Sequence, residues 1–506
     1  MVVVCYVRLP WSDGWTQIFV AARGENPFSP AWLWQLHNEH RLFIPKLLLG
    51  LDLRFFAAGQ KLLLISIFVI QLLLLWLAGW SMSALGGWRG SLWRTGLGST
   101  AFCLFCPSQW ENLTWGFQTC FVLPGLFAML AFVMLLRGQG GTVKGANRLW
   151  TFVVASVAAA LGAMCSLASG LLVLPLLFLA AILLRLRRSV ALTFAGCAVG
   201  STLVYLHNYV RPPQNSDPMS SLRHPITLIF HVASYFGSSW TAGSSWIHHN
   251  RLIAPAAGAL GLAVALAFLV RFRRMRDAGD SFPLLLLLLA LFCLGTSALT
   301  ALGRISYGNA QAFASRYQTV ALLFWWCLGC LILGLSNRKG TSLKFLATQV
   351  IVICVLLRGA SLARFPLRDA REHAFQQRAA SAALIAGIND RKQIASSFPD
   401  PSYVFSVVPF MREHRLSIFN DLNPQQPNTL VESLNRVAKQ SSCRAQIQTV
   451  ERIESSTGSD LRLNGWAWDF DRQKPIMGIV VISNTKIAGL ALWVIGVPQS
   501  ARTVRT

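Results

Sequence analysis

The sequence predicts a mainly α fold: a polytopic helical membrane bundle of about 10–11 spans, the first one truncated, followed by a small C-terminal β module. Three observations carry this. Of the 506 residues, 54% are hydrophobic and only 13% charged, against about 25% charged in an ordinary soluble domain. Apolar runs of the length that crosses ~30 Å of hydrocarbon, about 20 residues, recur through the first 360 positions. Arginines and lysines gather in short clusters between those runs, as they do in cytoplasmic loops. With a mean hydropathy of +0.49, this composition excludes a soluble enzyme, a disordered chain and a disulfide scaffold.

Taken in order, residues 1–7 (MVVVCYV) are apolar but short. They read as the last turns of a helix whose start is missing, or as the result of a wrongly chosen start codon. The segment 27–56 is amphipathic, rich in Trp and Phe and interrupted by Pro45, which predicts helices lying in the membrane interface. Spans are predicted over 60–82, 117–137, 149–167, 189–207, 251–270, 282–302, 318–336 and 343–360, with two shorter ones over 96–107 and 170–184. Residues 365–395 carry Arg, Glu and Gln among Ala and predict an amphipathic helix leaving the membrane. From about 443 the pattern changes to short strands separated by Asp, Asn and Gly turns. Three regions follow: a transmembrane domain over 1–360 with an outer first loop at 8–59, an extracytoplasmic helical linker region over 361–442, and a β-rich module over 443–506.

The 45 Lys and Arg against 20 Asp and Glu give a formal charge of +25. Their placement argues against a nucleic-acid partner. If 8–59 faces outward, alternation through the ten spans puts Arg89 and Arg94, then Arg137, Lys144 and Arg148, then Arg185, Arg187 and Arg188, then Arg271, Arg273, Arg274 and Arg276, and last Arg338, Lys339 and Lys344 on the inner side. The segments 8–59, 107–116, 208–250, 303–317 and 361–506 then lie outside, and 208–250 reads as a long loop with Pro turns. The short-spaced pairs Cys103/Cys106 and Cys327/Cys330 fall in apolar runs and read as helix-packing residues. No G-x-x-x-x-G-K-[ST] phosphate loop is present, which argues against an ATP-driven pump.

Chemistry-bearing residues collect in the outer segments. Asp13 lies in LPWSDGW (9–15), and Glu39 in LHNEHR (36–41) with His37, His40 and Arg41 around it. A carboxylate near the membrane surface faces a low dielectric, which suits it as a proton acceptor. A solvated loop with helix-capping acids is the other reading. His37 and His40, three apart, would share a face on a helix and could ligate a metal with Asp13 or Glu39. No stricter signature accompanies them, so no metal site is assigned and a divalent cation stays open. In CPSQWENLTWGFQ (106–118), Glu111, Asn112 and Gln118 stand among Trp110, Trp115 and Phe117. Sugars are bound by such mixtures of aromatic faces, amides and carboxylates, although an interfacial aromatic belt also explains the tryptophans. Asn112-Leu113-Thr114 matches the N-glycosylation triplet. In GRISYGNAQAFASRYQT (303–319), Arg304 and Arg316 lie on the outer side against the general bias, with Tyr307, Gln311 and Tyr317 nearby. Such arginines need counter-charges, either generic lipid phosphate or the phosphate of a lipid-linked substrate. The tight turn CSLASG (165–170) needs only its small residues and close packing.

These features together resemble the GT-C superfamily of polytopic, lipid-sugar-using glycosyltransferases. LHNEHR, WENLTWGFQ and ASRYQT are similar to the patterns of a bacterial group of integral-membrane sugar transferases, and GWAWD (465–469) resembles small β modules appended to bacterial surface-glycan enzymes. The resemblance implies an inverting transfer of sugar from a polyprenyl-phosphate carrier to a cell-surface glycan or lipid acceptor, on the outer face of a bacterial inner membrane. It also implies membrane lipids as partners and an extracytoplasmic C-terminal tail. Asp13 would then be the catalytic base and Glu39 a second carboxylate for acceptor or cation. His40, Arg41, Glu111, Asn112, Trp115, Gln118, Arg304, Arg316 and Tyr317 would bind substrate, with Arg316 on the carrier phosphate. The family often shows paired acids at the first position, whereas Asp13 is followed by Gly14 and Trp15. A transporter or flippase independent of ATP, and a non-catalytic membrane assembly protein, are the alternatives from other classes.

Overall fold

The computed structural model describes residues 1–139, 146–213, 217–241, 252–276, 281–338, 365–385 and 387–420, together with strand segments in the tail. The elements in chain order begin with α1 Val2–Cys5, α2 Thr16–Ala22, α3 Pro30–Trp34, β1 Leu36–His37, β2 His40–Arg41, α4 Phe43–Phe56, α5 Lys61–Ala84, α6 Gly90–Phe105, α7 Trp110–Thr114, α8 Thr119–Gln139 and α9 Ala146–Met164. There follow α10 Val173–Leu183, α11 Arg188–Leu206, α12 Pro218–Leu222, α13 Pro225–Thr241, α14 Ile253–Arg276, α15 Phe282–Arg304 and α16 Gln318–Arg338. The tail adds α17 over 365–385, α18 Arg391–Ile394 and α19 Pro401–Glu413. Its strands are β3 Cys443–Ser455, β4 Gly458–Asp469, β5 Lys474–Pro475, β6 Gly478–Ser483 and β7 Lys486–Leu492.

The protein is a mainly helical, multi-pass membrane protein. Among the described residues six helices are long and apolar enough to cross a bilayer: Lys61–Ala84, Gly116–Gln139, Arg188–Leu206, Ile253–Arg271, Phe282–Tyr307 and Ser315–Leu335. The expected spans 149–167 and 170–184 are shorter apolar helices, Arg148–Met164 and Ala168–Leu183. The one expected over 96–107 is the end of the 16-residue α6. The span expected over 343–360 lies outside the described residues.

Contacts divide the chain into two units that interleave along the sequence: Pro27–Leu48 with Leu63–Arg368, and Met1–Asn26 with Leu49–Leu62 and Asp369–Thr506. In the first unit α15 is the central helix, with Leu284–Leu289 buried without a break. An uninterrupted buried run means the helix is wrapped on all sides. α5 shows the opposite case. Leu63, Ile67, Ile70, Leu74, Leu77 and Met82 face the core, while Ile65, Val69, Leu72, Leu73 and Trp76 are exposed and equally apolar, as a helix with one face on lipid requires. Gly170 realises the tight turn read in CSLASG: a Cβ there would sit 2.1 Å from the carbonyl carbon of Ala163.

The segment 208–250, expected to be a loop, holds α12 and the 17-residue α13. α13 packs antiparallel on α14 through small residues. A Cβ on Gly237 would fall 1.7 Å from the Ala254 carbonyl oxygen, and one on Gly258 1.8 Å from that of Ala233. Two backbones this close leave room for hydrogen at those positions alone.

The two ends of this unit are distinct. At one, Phe282 packs edge-on against Trp88 of the α5–α6 turn at 5.2 Å, and Arg137 lies over Trp80 at 4.7 Å. At the other, the 304–317 segment meets the 36–41 and 107–118 segments. The 23-residue α15 joins the two ends, roughly 34 Å apart at 1.5 Å per residue.

The second unit has its own core. Leu9, Trp15, Ile18 and Ala58 pack with Ala380, Leu384, Ile394, Val404, Met411 and Phe419. Backbone bonds stitch the same segments: Ser12 N donates to Ser397 O at 2.7 Å and Ser417 N to Ala57 O at 2.6 Å. Buried Asp52 accepts from Gln60 N at 2.7 Å and Leu62 N at 2.9 Å, capping the start of α5. In the tail β3, β4 and β5 form one antiparallel sheet, and β6 pairs with β7 in another.

Candidate functional site

LHNEHR is a hairpin and not the helix that would have given His37 and His40 a shared face. β1 and β2 pair antiparallel, with His37 opposite His40. Asn38 and Glu39 form the two-residue turn, and Asn38 takes φ 52, a left-handed conformation that Asn tolerates. Pro45, read as an interruption, sits in the first turn of α4, where its missing N–H costs nothing.

The hairpin is anchored at its base by Arg41, which is almost wholly buried. Its backbone N–H donates to the Tyr205 hydroxyl at 3.0 Å; Nε donates to Tyr205 O and Nη1 to Trp34 O, both at 2.7 Å, and Nη2 to His207 O. The guanidinium thus binds carbonyls left open at the ends of α3 and α11. Lys46 does the same for the end of α3, donating to Trp32 O at 2.8 Å and Gln35 O at 2.7 Å. Burial, helped by the charge of Arg41, lowers the Lys46 amine to about 8.

At the tip, Glu39 Oε1 accepts from Arg304 Nη2 at 2.5 Å, and His40 Nε2 lies 3.5 Å from the same oxygen. Arg304, the last residue of α15, also lies over the Tyr307 ring at 5.8 Å. The side chains of Glu39, His40 and Arg304 are 16%, 24% and 28% exposed. An ionisable cluster that is dry on one side and open on the other suits proton transfer to a bound molecule.

Glu111 has a different environment. Its Oε2 accepts from Ser315 Oγ and from Arg316 N, both at 2.8 Å. Its own N–H donates back to Ser315 Oγ at 3.1 Å, and Arg316 Nη1 lies 3.6 Å from Oε1. The carboxylate therefore caps the turn that starts α16. Asn112 Nδ2 donates to Arg316 O at 2.8 Å and to Thr319 Oγ1 at 2.7 Å. The hydroxyl of Thr319 donates to Gln109 Oε1 at 2.6 Å. Fully buried and doubly donating, Asn112 is no glycosylation acceptor in this fold. The Arg316 guanidinium also donates to Gln311 Oε1 at 3.2 Å and remains 30% exposed.

The aromatic residues turn inward. Trp115 and Phe117 are buried and stack at 5.6 Å, and the His37 ring meets Phe117 at 5.3 Å. Tyr317 is buried against Tyr235 at 5.3 Å. Trp115 and Tyr317 therefore present no open face for a sugar. Gln118 is fully buried, and among the described residues neither atom of its amide has a hydrogen-bond partner; the same holds for Oδ1 of Asn309 and Oε1 of Gln318.

The structure thus brings Glu39, His40 and Arg304 together, and separately Glu111, Asn112 and Arg316. The His37–Phe117 contact joins the hairpin to the 107–118 segment. Asp13 belongs to the other unit, in the turn Ser12–Trp15, where its carbonyl accepts from Thr16 Oγ1 at 2.7 Å. Sequence reasoning missed Ser315, Gln109, Thr319 and Tyr205; Ser315, next to Arg316 in ASRYQT, was the one within reach. Among the described residues no group of three His, Cys, Asp or Glu side chains is placed to hold a metal. No family model, curated protein or solved structure matches this chain.

Proposed function

We propose that this protein transfers a sugar from a polyprenyl-phosphate carrier to a cell-surface glycan or lipid acceptor at the outer face of a bacterial inner membrane. The observation that carries the reading is the Glu39–Arg304 pair, partly exposed on a tight turn at the end of the bundle that also holds Arg316. Glu39 takes the proton of the acceptor hydroxyl as its oxygen bonds to the anomeric carbon. The bond from that carbon to the carrier phosphate oxygen breaks, with inversion. The departing phosphate gains negative charge, which Arg304 and Arg316 stabilise. In this orientation the arginine-rich loops face the cytoplasm, and the tail with its β strands is an extracytoplasmic appendage. The family resemblance gives the base role to Asp13; the contacts favour Glu39.

The test is transfer of label from polyprenyl-phosphate sugars in membranes, comparing wild type with Glu39→Gln, Asp13→Asn, Arg304→Gln and Arg316→Ala. Loss in Glu39→Gln far beyond that in Asp13→Asn supports Glu39 as the base, and the reverse transfers the role. Equal transfer by all variants removes this site. Ligand uptake without turnover would instead favour a transporter.

A further inference from the structure

The sugar-transfer reading leaves one built feature unused, at the opposite end of α15. Between α5 and α6 runs an open groove of about 570 Å³, lined by Leu72, Trp76, Gly79, Trp80, Arg89 and Trp93 among others. Its shape is fixed by specific contacts. The Trp93 indole donates to the Gly79 carbonyl at 2.9 Å. A Cβ on Gly79 would come 2.9 Å from Leu97 Cδ1 and 3.6 Å from Trp93, so glycine lets the two helices hold this spacing. Trp88, buried at the closed side, is braced by Phe282 at 5.2 Å. Trp80 is braced by Arg137 at 4.7 Å.

The walls are apolar along the α5 face that meets lipid, where Leu72 and Trp76 are exposed. The mouth is cationic, with Arg89 exposed beside it. In sequence the acids flanking Arg89 are Asp52 and Glu111; Asp277 and Asp280, just before Phe282, lie outside the described residues. Glu111 is engaged at the other end. Among the described residues neither Arg89 nor Arg137 has a carboxylate partner. An apolar trough with indoles near the mouth, and at its rim a guanidinium with no carboxylate partner among the described residues, matches one occupant, a lipid with an anionic headgroup.

We propose that the groove between α5 and α6 is a binding site for an anionic phospholipid of the surrounding bilayer, with its phosphate on Arg89 and an acyl chain along Leu72, Trp76 and Leu97. Trp80 and Trp93 lie at headgroup depth and set the position of the phosphate. The site is independent of the sugar-transfer reading.

The experiment uses the full chain in vesicles of phosphatidylcholine with trace spin-labelled phosphatidylglycerol or spin-labelled phosphatidylcholine. It measures the fraction of each label immobilised by the protein. Wild type is expected to prefer phosphatidylglycerol by about fivefold, the contribution of one basic group near a bilayer surface. Arg89→Gln abolishes the preference. Arg94→Gln, which removes an equal charge nearby but outside the groove, retains it. Millimolar inorganic phosphate leaves it in place, because the acyl chain shares in binding. No preference in wild type overturns the site, as does an equal loss in both variants, which would show a diffuse surface charge. Displacement by free phosphate would overturn the lipid as occupant.

Discussion

The two carboxylate–arginine pairs at one end of the bundle differ in what each carboxylate does. Glu111 gives one oxygen, Oε2, to a hydroxyl and a backbone N–H, so its first role is to start α16. Glu39 stands at the tip of a turn, and its recorded partners are the side chains of Arg304 and His40. The sequence assigns Glu39 a catalytic role and Glu111 substrate binding, without showing the partners of either. The difference teaches that the acid bonded to backbone and hydroxyl groups holds a turn, while the acid whose recorded contacts are ionisable side chains at a partly open surface is the one to test for chemistry.

The largest test of this contrast is Glu39→Gln. Removing a general base is expected to lower transfer by about 10²–10⁴-fold, read with labelled polyprenyl-phosphate sugar, while the unfolding midpoint scarcely moves. A residual rate within a factor of about two of wild type would end the contrast in favour of a structural Glu39. Arg304→Lys keeps the charge and loses the planar fork. It should cost about tenfold in transfer, and more than that if Arg304 contacts the departing phosphate through two nitrogens. Glu111→Gln is expected to act on folding instead, lowering stability by about 1–3 kcal/mol in a detergent unfolding series. A smaller shift there than in Glu39→Gln would reverse the assignment of the two acids. Ser315→Ala, which removes one bond from the Glu111 cap, should cost about 1 kcal/mol in the same series.

Acid pH acts on the stability of the tail unit, and that effect must be separated from the rest. His373, ringed by Trp11 at 3.9 Å, is held by burial at about 4, below the ordinary 6.5. The native form resists protonation that the unfolded chain accepts. The stability involved is complete above pH 6.5 and falls as the pH drops toward 4, by at most about 3 kcal/mol. Unfolding of the tail unit followed across that range should become easier in acid, and His373→Phe should flatten the dependence. The pH profile of the proposed transfer is therefore best taken on the His373→Phe background.

Much of the bundle was legible because apolar length is a local signal. α13 was not. Its 17 residues include His231, Ser234, Ser238 and Ser239, which dilute the apolar pattern. Two of them meet partners far along the chain, Asn309 donating to Ser234 and Gln318 to Ser238, and the close approach at Gly237 and Gly258 is a property of a pair of helices. The hairpin at 36–41 escaped because strands of two residues have no periodicity; Asn38 before Glu39 was the only hint. The individual site residues were visible as types, but their partners were not. Arg304 and Glu39 are 265 positions apart and Ser315 and Glu111 204, and such pairings leave no trace in local composition. The joining of Met1–Asn26 to the tail was hidden for the same reason.

Arg41 has a mechanical consequence. With its guanidinium tied to Trp34, Tyr205 and His207, the hairpin cannot tilt as a whole without breaking three charge-assisted bonds at once. Any adjustment of the carboxylate is left to the torsions of Asn38 and Glu39. The carboxylate rides on a stiff post with a two-residue swivel, so its reach is short and its aim is set before anything binds.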